Sequence, residues 1–473
     1  MKLRSSYRTI RKFHSSDALS LSPAAFAVEF AQTGQFANGL ADSERLHIRN
    51  VAADLEKHYR LNVRNQDGKL SATLDSPDQG ALGIPLDSVT VTQNRIEFSL
   101  QSLTLSYEGV LAGGAIEGTL TQAGQSLPLK FERGKAKTAA RPQYPTAPFP
   151  YDAEEVTVAS ADILLAGTFT HPRQGGPFSA ILLVTGSGPQ DRDETIFEQK
   201  PFLVISDYLT RAGYAVLRLD DRGTGKSTGE FRASGLAEFT GDALAAVAWL
   251  KARPDVNARR IGILGHSEGG AVAPLAAVRS NDVGFVITLA GPAQPFDELL
   301  ADQSAALLRA DGAPQGVIEA DLEMRRQAYA VLRQEPDPAK ARARLRQVAA
   351  DWRTKQPELA AQFEAGLEKL LTPELRSLFA YPAAETLAKL RCPVLALFGG
   401  KDLQVPADSN IRAAAAAFTA GHVPSFTLVK LPGLNHLFQT AKTGNVTEYA
   451  QIEETIAPRA LETIAAWLRT NER

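Results

Sequence analysis

The chain holds one cysteine, Cys392, among 473 residues. A single thiol cannot close an intrachain disulfide, so no cystine framework supports the fold. Cys392 opens an apolar run that reads as a buried strand, which makes it a small packing residue rather than a redox group. No apolar run approaches the roughly 20 residues that a membrane-spanning helix needs. An excess of either charge is missing too: 51 Lys and Arg face 53 Asp and Glu. That balance gives no electrostatic case for nucleic acid or an anionic membrane. No His, Cys and acidic residues stand at metal-ligand spacing, and neither a metal nor a cofactor is expected. What is left is an ordinary globular composition, long enough for about two or three domains or one large decorated one.

Within it, Gly265-His266-Ser267-Glu268-Gly269 carries the most information. It follows the apolar run Arg260-Ile261-Gly262-Ile263-Leu264 and precedes an alanine-rich helical segment from Gly270. Strand, G-x-S-x-G, helix is the context of a nucleophile elbow, whose sharp turn tolerates only tiny flanking residues. A carboxylate, Asp402, follows the apolar strand and glycine turn of Pro393–Gly400, and His436 follows the run Phe426–Leu431. Alone, Asp402 reads as a turn residue and His436 as a polar loop histidine. In the order serine, acid, histidine they form a candidate catalytic triad. The backbone N–H of Glu268 is the expected first oxyanion donor. The loop Thr185–Asp193 is expected to supply the second, at Ser187 or, as the alternative, Gly188.

Apolar, β-branched runs lie near 154–158, 163–169, 179–185, 214–220, 260–265, 284–290, 393–399 and 425–431. Helical patterns separate most of the later ones, which predicts a mostly parallel eight-stranded sheet covered on both faces. The first two runs predict an antiparallel entry hairpin. Ser267, Asp402 and His436 then follow the fifth, seventh and eighth strands. Gly223-Thr224-Gly225-Lys226-Ser227 imitates part of a phosphate loop, but position 220 is Asp220 where such a loop needs glycine.

The remaining organisation is read from pattern. Residues 1–22 are expected to be a basic, disordered tail holding Lys2, Arg4, Arg8, Arg11 and Lys12. No clear signal peptide follows, so cytoplasmic and periplasmic or secreted locations both stay open. Residues 23–60 read as mixed helix. Period-two segments then run from Tyr59 to Phe131 between Asp67-Gly68, Gln93-Asn94 and Gly113-Gly114, predicting hairpins in a small sandwich or barrel. Residues 23–133 are thus expected to form an N-terminal domain, structural in role and able to mediate homo-oligomers. Residues 134–150 read as a proline-rich linker, and 151–473 as the catalytic domain. Residues 296–388 are helical in pattern and are expected to cap the nucleophile, with helices starting at Asp337-Pro338 and Thr372-Pro373.

The runs Gly186–Asp193, Asp221–Ser227, Gly265–Gly270, Cys392–Leu397 with Asp402, and Leu434–Gln439 resemble bacterial carboxylesterases of the α/β-hydrolase superfamily. Leu74–Gly80 is similar to the N-terminal domain of the same group. The resemblance implies an α/β-hydrolase fold, hydrolysis of short-chain carboxylic esters through an acyl-enzyme on Ser267, and no cofactor. The expected partner is a small-molecule ester. A serine peptidase on the same fold is the alternative, although the sequence shows no acidic pair to grip a peptide amine. A non-catalytic binding protein on this scaffold is a third.

Overall fold

A computed structural model describes residues 26–27, 44–50, 58–66, 69–76, 81–101, 105–112, 115–122, 125–132 and 140–471. The basic tail lies outside the described residues. Strands β1 to β5 (Phe26–Ala27, Glu44–Asn50, His58–Gln66, Lys69–Ser76 and Ala81–Pro85) form one antiparallel sheet in chain order. Strands β6 to β10 (Ser88–Thr92, Arg95–Leu100, Leu105–Ala112, Ala115–Gln122 and Gln125–Glu132) form a second. The sheets meet at both edges, β10 against β1 and β2, and β4 against β6. Their alternating residues enclose one core, with Leu61, Val63 and Leu74 facing Phe98, Tyr107 and Phe131.

The helix expected in residues 23–60 is corrected at β2. Leu46 and Ile48 alternate with His47 and Arg49, a period of two, and β2 pairs with β3. The rest of that stretch before His58, apart from β1, lies outside the described residues.

The third sheet contains β11 (Tyr151–Ser160), β12 (Ile163–Pro172), β13 (Phe178–Val184), β14 (Ala215–Leu219), β15 (Val256–His266), β16 (Phe285–Leu289), β17 (Val394–Gly399) and β18 (Phe426–Leu431). Their order is β11-β12-β14-β13-β15-β16-β17-β18. Pairs β11–β12 and β12–β14 are antiparallel and the rest parallel, so the predicted entry hairpin is present. Every residue of β16 and β17 is buried, as the continuous apolar runs require.

One face is covered by α1 (Pro201–Arg211) and α11 (Pro458–Asn471), through Phe202, Ile205, Ile464 and Leu468. The other is covered by α2 (Leu236–Lys251), α3 (Gly269–Arg279) and α10 (Ala407–Ala420). Between β16 and β17 come α4 (Phe296–Ala310), α5 (Gln315–Gln334), α6 (Pro338–Arg353), α7 (Pro357–Leu370), α8 (Pro373–Phe379) and α9 (Ala383–Ala388). Asp337 caps α6 by accepting from Ala339 and Lys340 N–H, and Thr372 caps α8 through Leu375 N–H. Proline at the first turn in both fits a position with no helical N–H partner.

The insertion is not one piece. Helices α5 to α7 bury Tyr329, Leu345, Trp352 and Phe363 among themselves. Leu375, Leu378, Tyr381 and Leu387 of the α8–α9 segment join the core under the sheet instead. The linker's second half is also tied down. Arg141 donates to the carbonyls of Glu198, Ala450 and Ile452, and Gln143 bonds Thr455 and Ile456.

Candidate active site

Ser267 stands at the end of β15 with φ of 52°, a left-handed conformation rare for any residue with a side chain. Its N–H is held by the Leu289 carbonyl at 2.8 Å, which fixes the turn against β16. A Cβ on Gly265 would run into the Gly269 carbonyl, and one on Gly269 into the Val184 carbonyl. The two glycines are therefore required by the close approach of strand, turn and helix.

Asp402 and His436 meet close to this turn, with the His436 ring 4.8 Å from that of His266. His436 Nδ1 lies 2.8 Å from Asp402 Oδ2, and both side chains are buried. Asp402 Oδ1 accepts the N–H groups of Gln404 and Val405, which fixes the carboxylate's orientation. The histidine loop is pinned by Asn435 and Gln439, both fully buried, which bond each other three times. Gln439 Nε2 also reaches the Tyr449 and Glu454 carbonyls.

The loop after β13 is organised by four acids in alternation. The N–H groups of Gly186, Gly188, Gln190 and Arg192 go to Glu194, Glu374, Asp221 and Asp220 respectively. Among the described residues no acceptor takes the N–H of Ser187 or of Glu268. Gly188, the alternative donor, is corrected: Glu374 Oε1 of α8 holds its N–H at 2.7 Å. A Cβ on Gly186 would come within 3.3 Å of the Ser267 Cβ, so the residue before Ser187 lies close to the nucleophile.

Two of these acids, Asp220 and Asp221, follow the fourth strand of the sheet and order the turn there, as that run of sequence suggests. Asp220 takes Arg192 Nε and Lys226 N–H, and Ser227 Oγ donates to its carbonyl. The phosphate-loop imitation is thus a turn wound on an aspartate. Asp221 also accepts from Thr185 Oγ1, and burial pushes its pKa up to about 8 against those hydrogen bonds. Asp193 binds Lys200 and Arg218, and Arg192 also binds Glu155, so the Asp191–Asp193 run is an ion-pair network.

Sequence reading missed His266 and Glu194, which sit behind the elbow. His266 Nδ1 meets Glu194 Oε1 at 2.9 Å and Nε2 meets the His436 carbonyl at 3.0 Å. Both partners are acceptors, so both ring nitrogens carry protons. Burial alone would lower this pKa, but the Glu194 charge and the two hydrogen bonds outweigh it, and the shift is upward. Glu268 is displaced more strongly. Burial, then the charge of Glu374 and a hydrogen bond to it, then Asp221, raise its pKa well above the carboxylate range. An acidic pair beside the nucleophile, absent from the linear pattern, is therefore present in the fold.

Glu154, His171 and Asp255 come close enough to share a cation. Arg253 already bonds both carboxylates there and stacks over Phe169. Cys392 is half-buried just before β17, and burial pushes its thiol up to about 11. Among the described residues no helix is long and apolar enough to cross a membrane.

The sheet order, the strained serine turn and the Asp402–His436 pair define the α/β-hydrolase fold with the residue set of a serine hydrolase. Residues 152–423 match the family described as X-Pro dipeptidyl-peptidase (S15 family), and the chain belongs to it. It is 34% identical over 207 residues to esterase EstD of Thermotoga maritima, covering 44% of this chain and 48% of that protein. The chain thus spans about half the length of this curated relative. The solved esterase Pf2001 of Pyrococcus furiosus is 16% identical, with a TM-score of 0.43 over 72% of this chain and 100% of that one. Est1E of Butyrivibrio proteoclasticus, solved with ferulic acid, is 16% identical, with a TM-score of 0.40 over 67% and 98%.

Proposed function

We propose that this chain hydrolyses short-chain carboxylic esters through an acyl-enzyme on Ser267. The observation that carries the reading is the buried Asp402–His436 hydrogen bond together with a serine held in a left-handed turn, the histidine packed on His266 next to that serine. A free serine hydroxyl is a poor nucleophile at neutral pH. His436 takes its proton during attack through Nε2 and returns it to the leaving alcohol. Asp402 fixes the tautomer that leaves Nε2 free and stabilises the imidazolium. The oxyanion is received by the N–H groups of Glu268 and Ser187, both without an acceptor among the described residues. Water then attacks the acyl-enzyme by the same proton route in reverse.

Peptide hydrolysis is the second reading, and a specific observation favours it. The Glu268–Glu374 pair offers carboxyl oxygens to an amine beside the nucleophile, and Glu268 Oε2 has no partner among the described residues. Turnover of an aryl acetate against an aminoacyl anilide separates the readings; the ester should be the better substrate by kcat/KM. Ser267→Ala should lower kcat by about a million-fold, since the triad acts as a unit. Turnover surviving in that variant sinks the assignment.

A further inference from the structure

We propose that Glu374 is a positioning residue for acyl transfer: paired with Glu268, it locks together the two segments that carry the oxyanion donors. The inference rests on the reading of Ser187 and Glu268 as those donors. One donor segment is the loop after β13 and the other is the start of α3. Glu374 arrives from neither, but from α8 of the insertion. Its Oε1 accepts the Gly188 N–H at 2.7 Å, one residue past Ser187. The same carboxyl lies against the Glu268 side chain, which hangs from the residue after the nucleophile, close enough for the two to share a proton.

Two carboxyl groups can hydrogen-bond only when one of them carries a proton. Glu268 is the group that keeps it, being the more buried, and burial disfavours its anion. The chain of contacts is therefore Glu268 O–H to Glu374, and Gly188 N–H to Glu374. Without Glu374 the Gly188 N–H and the Glu268 hydroxyl both lose their partner, and the loop is free to turn the Ser187 donor away. An oxyanion hole depends on donors fixed before the charge forms, so its effect falls on kcat rather than on ground-state binding.

The surrounding charges leave the shared proton in place. Asp221 disfavours ionisation of Glu268, and Glu194 and Asp242 do the same for Asp221. Arg222 is spent on Asp242, and Arg376 of α8 donates to the Leu332 and Glu335 carbonyls. Glu230 and Glu238, on segments packed against α8, accept from Arg232 and Gly235 N–H. Further out on the insertion, Arg333 pairs with Asp297 and Arg325 with Asp321. Among the described residues no cation pairs with Glu268 or Glu374.

The test is ester turnover against pH for the full chain, Glu374→Ala, Glu374→Gln and Ser267→Ala. Glu374→Ala should lose kcat by about 10²- to 10³-fold, the scale of one lost oxyanion donor, with KM little changed. Wild-type kcat should fall on the alkaline side as the shared proton leaves and two carboxylates repel. Glu374→Gln keeps an oxygen for Gly188 and an N–H for the Glu268 carboxylate without needing that proton. It should retain kcat and lose the alkaline fall. His266 also titrates near the site but is untouched by this variant. An alkaline fall surviving in Glu374→Gln therefore belongs to His266 and overturns the proposal, even if Glu374→Ala fails to fold. Wild-type kcat in Glu374→Ala beside an inert Ser267→Ala overturns this proposal alone. An active Ser267→Ala removes the underlying reading and this one with it.

Discussion

His266 is the position where a variable motif letter has become a structural charge. Its imidazolium joins Glu194 to the His436 carbonyl, so one buried pair ties the elbow, the loop after β13 and the histidine loop. Removing one partner leaves a buried charge unpaired. His266→Gln should therefore destabilise the protein by about 3–5 kcal/mol near neutral pH, read by chemical denaturation. The folded pKa is raised, so the pair's contribution is full below the unfolded value of roughly 6.5. It should fade as pH climbs through the folded value, and the wild-type advantage over His266→Gln should shrink in that direction. An advantage that shrinks toward acid pH instead would show that the ring is neutral in the fold.

At the level of elements, the insertion does two jobs with two sets of helices. Helices α5 to α7 keep their own core, whereas α8 and α9 complete the core under the sheet. Leu378 is 2% exposed there. Leu378→Ala should cost about 2–5 kcal/mol of catalytic-domain stability and weaken turnover through Glu374. A loss confined to the insertion, with the main unfolding transition unmoved, would place α8 outside that core. Acyl selectivity is expected to depend on the insertion as well. Small-to-large substitutions on its helices should shift the acyl profile while fluorophosphonate still labels Ser267. An unchanged profile across such a series would make these helices a bulge away from the pocket.

For the whole molecule, residues 23–133 are proposed as a separately folding unit, because their described strands close on a core of their own. Arg141, Gln143 and Tyr144 anchor the start of the catalytic half to the Glu198 and Ala450–Ile456 region. Limited proteolysis in the connecting stretch should therefore cut before Arg141, not between Arg141 and Tyr151. A fragment from residue 140 onward should keep fluorophosphonate labelling. First cuts inside 141–150, found by mass spectrometry, would mean that these anchors do not hold in solution.

Much of this was legible in the chain. The eight catalytic strands, the entry hairpin, the elbow and the order Ser267, Asp402, His436 follow from hydrophobic period, glycine placement and sequence order. These are local properties, and a buried parallel strand or a turn that admits only glycine writes them into a few consecutive residues. The strand at Glu44–Asn50 was misread because four or five alternating residues lie among segments of ambiguous pattern. What the tertiary structure alone decided is which acid meets which donor. Glu374 reaches Gly188 across 186 positions, and Glu194 reaches His266 across 72. Carboxylates on solvated loops and buried carboxylates have the same letter; only burial, which removes water and makes a partner obligatory, tells them apart.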